Sequence, residues 1–193
     1  MRKRLTPLLY EVRACELCKS ELEPRPVLQV SRKAKVLIAG QAPGSKVHAS
    51  GVPFDDASGD RLRDWMGISR DTFYDASKIA ILPMAFCYPG KGKSGDLPPP
   101  PRCAETWRDV ILRELISIEL TLIIGQYAIA WHMSLPKSQT LTDTVKSWRD
   151  LDSGLIPLPH PSPRNNIWLK KNSWFEIELI PKLKARVSNL LKN

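Results

Sequence analysis

Val36-Leu37-Ile38-Ala39 is an apolar run that stops at Gly40-Gln41-Ala42-Pro43-Gly44. A short unbroken apolar run bounded by Gly and Pro reads as a buried strand breaking into a tight loop. Leu155-Ile156-Pro157-Leu158 repeats the pattern and gives way to His160-Pro161-Ser162-Pro163-Arg164-Asn165. Two further strands are predicted at Ile79-Ala80-Ile81-Leu82 and Leu120-Thr121-Leu122-Ile123-Ile124. Helical patterns lie between and around them. Residues 5–21 form an amphipathic helix bearing Cys15 and Cys18. Residues 61–66 place Leu62, Trp65 and Met66 on one face before Gly67. Further helices are expected from Glu105 to Ser117 and from Gly125-Gln126 through Trp131. A last helix opens on a capping box, Ser173 with Glu176, and shows Phe175, Leu179, Leu183 and Val187 on one face, with Pro181 a possible kink. The alternation predicts a three-layer α/β/α fold around a central, mostly parallel four-stranded sheet. The 193 residues show no repeat and no clear linker, so one domain over 1–193 is expected. In such a sheet both quoted loops open at the carboxyl edge, where ligands bind.

The net charge of +9 suits a polyanion partner, and equally a generally basic surface. Met1-Arg2-Lys3-Arg4 looks like the start of a signal peptide. Pro7, Glu11 and Arg13 then interrupt any apolar core for one, and no run reaches membrane-spanning length. A cytoplasmic protein without membrane association is expected. Its cysteines are then thiols or metal ligands rather than disulfides.

There are four cysteines: Cys15 and Cys18 in a C-x-x-C, then Cys87 and Cys103 separated by fifteen residues. That intervening stretch, 88–102, is rich in Gly and ends in Pro98 to Pro101, which favours an extended segment. It can fold back and bring both pairs to one metal. On the residues alone the choices are a shared metal site, with zinc ahead of iron–sulfur, a redox pair, or buried thiols.

The two loops resemble the active-site motifs of the uracil-DNA glycosylase superfamily. The four cysteines resemble, in position and spacing, those of its iron–sulfur subgroup, family 4. The Pro-Arg-Asn ending of the second motif is most similar to the single-strand-selective branch. The resemblance implies a 4Fe-4S cluster on Cys15, Cys18, Cys87 and Cys103, with zinc the runner-up, in a structural role. It implies that His160 donates a hydrogen bond to uracil O2 as charge builds on the leaving base. Gln41 and Ala42 fall where the family contacts uracil, and Phe54 where an aromatic ring stacks on the extruded base, although a core aromatic is the alternative. Ser162 would contact a phosphate. Pro163 and Arg164 would lie against the minor groove and help fill the gap left by the flipped nucleotide. Lys46, Lys170 and Lys171 flank the loops as further DNA contacts.

The sequence departs from family 4 at three places. Gln41, followed by Ala42, stands where Glu is usual. Val47-His48 stand near an expected acidic residue. Pro83, which has no amide to offer, stands at the expected uracil-reading Asn. Asp55 and Asp56, directly after Phe54, are the replacement candidates to orient water or steady the cationic sugar. They are equally placed to cap a helix starting near Ser58. His48 is a further candidate base.

The expected function is that of a DNA repair glycosylase, a monomer. It would hydrolyse the N-glycosidic bond of uracil in DNA and leave an abasic site for base excision repair. The alternatives are a glycosylase for another deaminated or mismatched base, and a non-catalytic iron–sulfur module that binds DNA at abasic sites. A nucleotide-binding phosphate loop at 40–44 ranks last, because the Gly-Lys-Ser/Thr ending is missing.

Overall fold

The computed structural model describes residues 5–136, 138–149 and 154–192; the basic Met1–Arg4 start lies outside them. Four strands, β1 (Val36–Ala39), β2 (Ile79–Ile81), β3 (Leu120–Ile124) and β4 (Leu155–Leu158), form one sheet in the order β2-β1-β3-β4, all parallel. Every residue of β1, β2 and β3 is buried, which is why these strands read as unbroken apolar runs.

Helices cover both faces. Val36, Ile38, Ile79, Ile81, Leu120 and Leu122 pack with Leu62, Trp65 and Met66 of α3 (Ala57–Met66), Phe73 of α4 (Arg70–Tyr74) and Leu183 and Val187 of α9 (Ile180–Lys192). The alternate residues Leu37, Ala80 and Leu82 pack with Leu8 and Val12 of α1 (Leu5–Arg13) and Ile111 of α5 (Pro101–Leu112). Ala39 and Ile123 meet Ala128 and Ile129 of α6 (Gly125–His132). The period of two along each strand thus builds the three layers.

Several boundaries differ from expectation. The first helix ends at Arg13, so Cys15 and Cys18 lie on the turns that follow it. The helix expected from Glu105 begins at Pro101 and ends at Leu112. Proline fits the first turn because its missing N–H would have no partner there. Cys103 therefore sits in the first turn of α5. Four short helices were not foreseen: α2 (Ser45–Ser50), α4, α7 (Leu141–Lys146) and α8 (Asn166–Lys171). After α8 (Asn166–Lys171), a π-helical turn at Phe175–Leu179 leads into α9. No side chain caps that turn, so the expected Ser173–Glu176 box is not formed. The wide turn absorbs Pro181, which cannot donate to the turn before it.

Gly59 holds the start of α3 against the preceding loop. A Cβ there would come 1.8 Å from the carbonyl oxygen of Phe54. No rotamer relieves a clash with backbone. Gly59→Ala should destabilise the fold by about 2 kcal/mol or more, read as a lower Tm in a thermal melt.

Candidate active site

At the carboxyl edge of the sheet a cleft of about 570 Å³ opens where β1 and β3 lie side by side. The chain steps from β1 to β2 on one side, then crosses back to β3 on the other, and that reversal splays the two loops apart. The cleft is lined by Gly40 to Lys46, by Phe54 and Asp56, by Pro83, by Ser94 to Asp96, by Gln126 and Tyr127, and by His160, Ser162, Arg164 and Asn165. The two motif loops, 120 residues apart in sequence, thus form opposite walls of one cavity.

The first wall is an extension of the sheet. Met84 N–H donates to Gly40 O at 2.9 Å and Ala85 N–H to Gln41 O at 3.1 Å. Phe54 rests on this loop, its ring 3.4 Å from where a Cβ on Gly40 would stand. Phe54 is the one non-glycine among the described residues with positive φ, at 55°. Tyr74 Oη donates to Pro53 O at 3.0 Å, and the Phe54 ring meets Phe73 edge-on at 6.2 Å.

The second wall is fixed by its own hydrogen bonds. Ser162 N–H donates to His160 Nδ1 at 3.1 Å, and Asn165 Nδ2 donates to His160 O at 2.7 Å. Because Nδ1 accepts, the proton of a neutral imidazole sits on Nε2, and Nε2–H is the remaining donor. Burial lowers the His160 pKa, opposed by the nearby charges of Asp56 and Asp96. Ser162 also caps the 3₁₀ turn Pro163–Asn165, accepting from Arg164 N–H at 3.3 Å. Arg61, which sequence reasoning missed, donates to Ser162 O at 3.2 Å and to Asn166 Oδ1 at 2.8 Å, so α3 holds this loop in place.

The two aspartates part company. Asp56 lines the cleft, yet its Oδ1 accepts Gly59 N–H at 2.9 Å as the N-cap of α3. Asp55 does not line the cleft. It pairs with Arg70 at 2.8 Å, and that hydrogen bond holds its carboxyl below the usual range. His48 bonds Glu23 at 3.1 Å and likewise lies off the cleft lining. Lys46 and Arg164 line the cleft, whereas Pro163, Lys170 and Lys171 are exposed beyond its rim. Asp96 and Gln126 face the cleft and were not foreseen. Asp96 belongs to the Gly-rich stretch between the last two cysteines, and Gln126 to the Gly125-Gln126 helix start at the end of β3.

The four cysteines line a second, apolar cavity with Phe86 and Trp107. Three of the sulfurs receive hydrogen bonds: Cys15 from Trp107 Nε1–H at 3.3 Å, Cys103 from Phe86 N–H at 3.4 Å, and Cys87 from the backbone of Arg25. Burial raises the thiols of Cys18 and Cys87 and pushes Cys103 up to about 12. Among the described residues, no three His, Cys, Asp or Glu side chains are gathered closely enough for a single metal ion. No described helix is long and apolar enough to cross a membrane.

Residues 28–184 match the family model of the uracil DNA glycosylase superfamily. The chain belongs to that superfamily. Membership supports a DNA glycosylase, a hydrolase that acts on DNA. The match spans both cleft walls, Cys87 and Cys103, and begins after Cys15 and Cys18.

His160 should remain neutral below the pH at which free histidine titrates, about 6.5, because its pKa is lowered. Nitrogen-15 NMR of the imidazole checks this. The expected spectrum is that of the Nε2–H tautomer, persisting as the pH falls through that range.

Proposed function

We propose that this glycosylase removes uracil from DNA and leaves an abasic site, and that it belongs with the iron–sulfur family 4 type. The observation that carries the reading is the half-buried, neutral His160, its Nδ1 held by Ser162 N–H and its Nε2–H left to donate, across a cleft from Phe54. A base flipped into this cleft stacks on the Phe54 ring. As the C1′–N1 bond lengthens, negative charge grows on uracil O2, and Nε2–H stabilises it there. A donor already in place and shielded from water needs no reorganisation as that charge develops. Phe54 carries a strained backbone conformation at this spot, which is where strain serves to fix a ring before the ligand arrives. Lys46 and Arg164 at the cleft, with Lys170 and Lys171 beyond it, neutralise phosphates on either side of the flipped nucleotide. The chain acts on DNA as a monomer and a single domain.

Pro83 favours a second reading, in which the base is another deaminated or mismatched one. It lines the cleft and presents no side-chain amide with which to read uracil.

The cysteine cavity suits a sulfur-held group. Four thiols face one apolar space, and N–H donors already point at three of the sulfurs, as in sites where hydrogen bonds tune bound thiolates. Zinc would draw four thiolates to about 2.3 Å from one centre, and the sulfurs lack that tight grouping. A 4Fe-4S cluster takes one thiolate at each iron and accepts a wider set. Cys15, Cys18, Cys87 and Cys103 would hold it. When bound, it would supply a rigid cross-link between the segment after α1 and the start of α5.

Oligonucleotides bearing one uracil, treated with the protein and then with alkali, test the activity. Uracil-dependent scission is expected, with His160→Ala slowed by about 100-fold or more. Hypoxanthine and thymine-mismatch duplexes run beside them. Scission confined to one of those would favour the second reading. Abasic DNA bound with no base removed would replace both with a binding module.

Protein purified without exposure to oxygen should contain about four irons and four sulfides. A Cys15→Ser, Cys103→Ser double variant should lose most of both and the accompanying visible absorption.

A further inference from the structure

Hydrolysis at C1′ needs a water held close to the sugar, and a carboxylate is the usual group to hold it and take its proton. Two carboxylates, Asp56 and Asp96, lie in the cleft lining among the described residues. They differ in what else they do. Asp56 is bound to the backbone of its own helix as the cap on Gly59 N–H. Asp96 makes no ion pair among the described residues, and its one hydrogen bond is a long one, 3.4 Å from Tyr88 Oη to Oδ1. Oδ2 points toward the first motif loop, 3.8 Å from where a Cβ on Gly44 would be.

A hairpin presents this carboxylate. Leu97 N–H donates to Gly90 O at 2.9 Å and Gly92 N–H to Gly95 O at 2.6 Å, and Lys91 pairs with Asp96 across it. The neighbouring Gly95 has φ of +154°, and the Arg164 guanidinium packs so closely that a Cβ on Gly95 would lie 2.7 Å from Nη1. The hairpin is thereby pressed against the second motif loop. Asp96 thus stands in the cleft lining between the two walls, its carboxylate beside Gly44 and its hairpin against Arg164.

We propose that Asp96 is a catalytic residue of this cleft, the carboxylate that holds the hydrolytic water and accepts its proton. The assignment rests on the glycosylase reading above. The water oxygen forms the new bond to C1′. The C1′–N1 bond breaks and its electron pair leaves with the base, which His160 steadies as an anion. The water's proton passes to an Asp96 oxygen and then to solvent, and the free base is protonated from solvent. Tyr88 Oη, donating to Oδ1, turns Oδ2 to the water. Charge supports the same placement, since Asp96 is close enough to act on the His160 imidazole.

Single-turnover excision of uracil by the native protein, Asp96→Asn and Asp56→Asn tests the assignment, with affinity for uracil-free DNA and Tm measured in parallel. Asp96→Asn should slow excision by about 100-fold while affinity and Tm stay near native. Asp56→Asn, whose amide oxygen can still accept from Gly59 N–H, should leave Tm near native and the rate within a few-fold of native. Asp96→Ala should regain part of its lost rate in added formate, whereas His160→Ala should not. An Asp96→Asn enzyme within about threefold of native would overturn the proposal. So would a loss matched by an equal loss of DNA affinity, or a loss that falls on Asp56→Asn instead. If Asp96→Asn fails to fold, the formate response of Asp96→Ala decides, and no response rejects the carboxylate role. A native protein that removes no uracil sinks the underlying reading, and this assignment with it. Normal excision by Asp96→Asn sinks this assignment alone.

Discussion

Backbone pairing between β1 and β2 does not stop where the strands stop. Leu82 N–H donates to Ile38 O, Met84 N–H to Gly40 O, and Ala85 N–H to Gln41 O. The first motif loop is therefore an extension of the sheet rather than a free turn. Arg108, fully buried on α5, holds the other side of the same segment. Its Nη1 donates to Leu82 O at 2.6 Å and to Pro83 O at 2.8 Å, and its Nη2 meets His132 Nε2 at 2.7 Å. Burial lowers the guanidinium to about 10, which still leaves it charged at neutral pH. Burial and that charge push His132 down to about 4, so the imidazole stays neutral and accepts the bond. A buried charge that lost these carbonyls would be strongly unfavourable, so the carbonyls are held as firmly as the charge. Phe54, Pro83 and the Gly-rich turn all take their positions from this segment.

The Phe54 backbone shows how local strain is sustained. A bulky residue at positive φ is unfavourable by itself. Here its neighbours fix it from both ends. Pro53 O is taken by Tyr74, Asp55 by Arg70, and Asp56 by the α3 N-terminus, while Gly59 lets the helix pass beneath the Phe54 carbonyl. No one of these contacts is large. Together they leave the ring a single position, so little ordering is left for ligand binding to bring about.

The sheet was legible in the sequence because its strands are almost wholly buried and apolar, Leu155 and Thr121 being the exceptions, and burial is what an apolar run reports. The helices α2, α4, α7 and α8 were not, because five or six residues span too few turns to show a period. The stretch 88–102 was read as an extended segment for its prolines, and Pro101 instead starts a helix. The two motif loops were recognisable as strings. Their partners were not. Asp55 and Asp56 are adjacent, and in extended backbone adjacent side chains point opposite ways, so one faces Arg70 and the other the cleft. Asp96 and Gln126 reach the cleft through the crossing order of the strands, which no local pattern encodes. Arg61 reads as a surface residue of an amphipathic helix, and its bonds to Ser162 and Asn166 exist only after β4 has been placed.

One helix ties the two cavities together. Cys103 lies in the first turn of α5, and Trp107, four residues on and on the same face, donates to Cys15. The next residue, Arg108, points round the helix to the carbonyls of Leu82 and Pro83. The chain from Cys87 to Cys103 leaves the sulfur-lined space, passes through Tyr88 and the Asp96 hairpin at the cleft, and returns. Both ends of that excursion carry a cysteine of that space, and its far side is pressed on Arg164. A group held by the four cysteines would act on the cleft by fixing where this excursion begins and ends. That is a mechanical influence, and it needs no electron to move. It would also give a physical reason for the order of the parts: a segment without regular secondary structure carries a cleft carboxylate, and such a group would pin it at both ends.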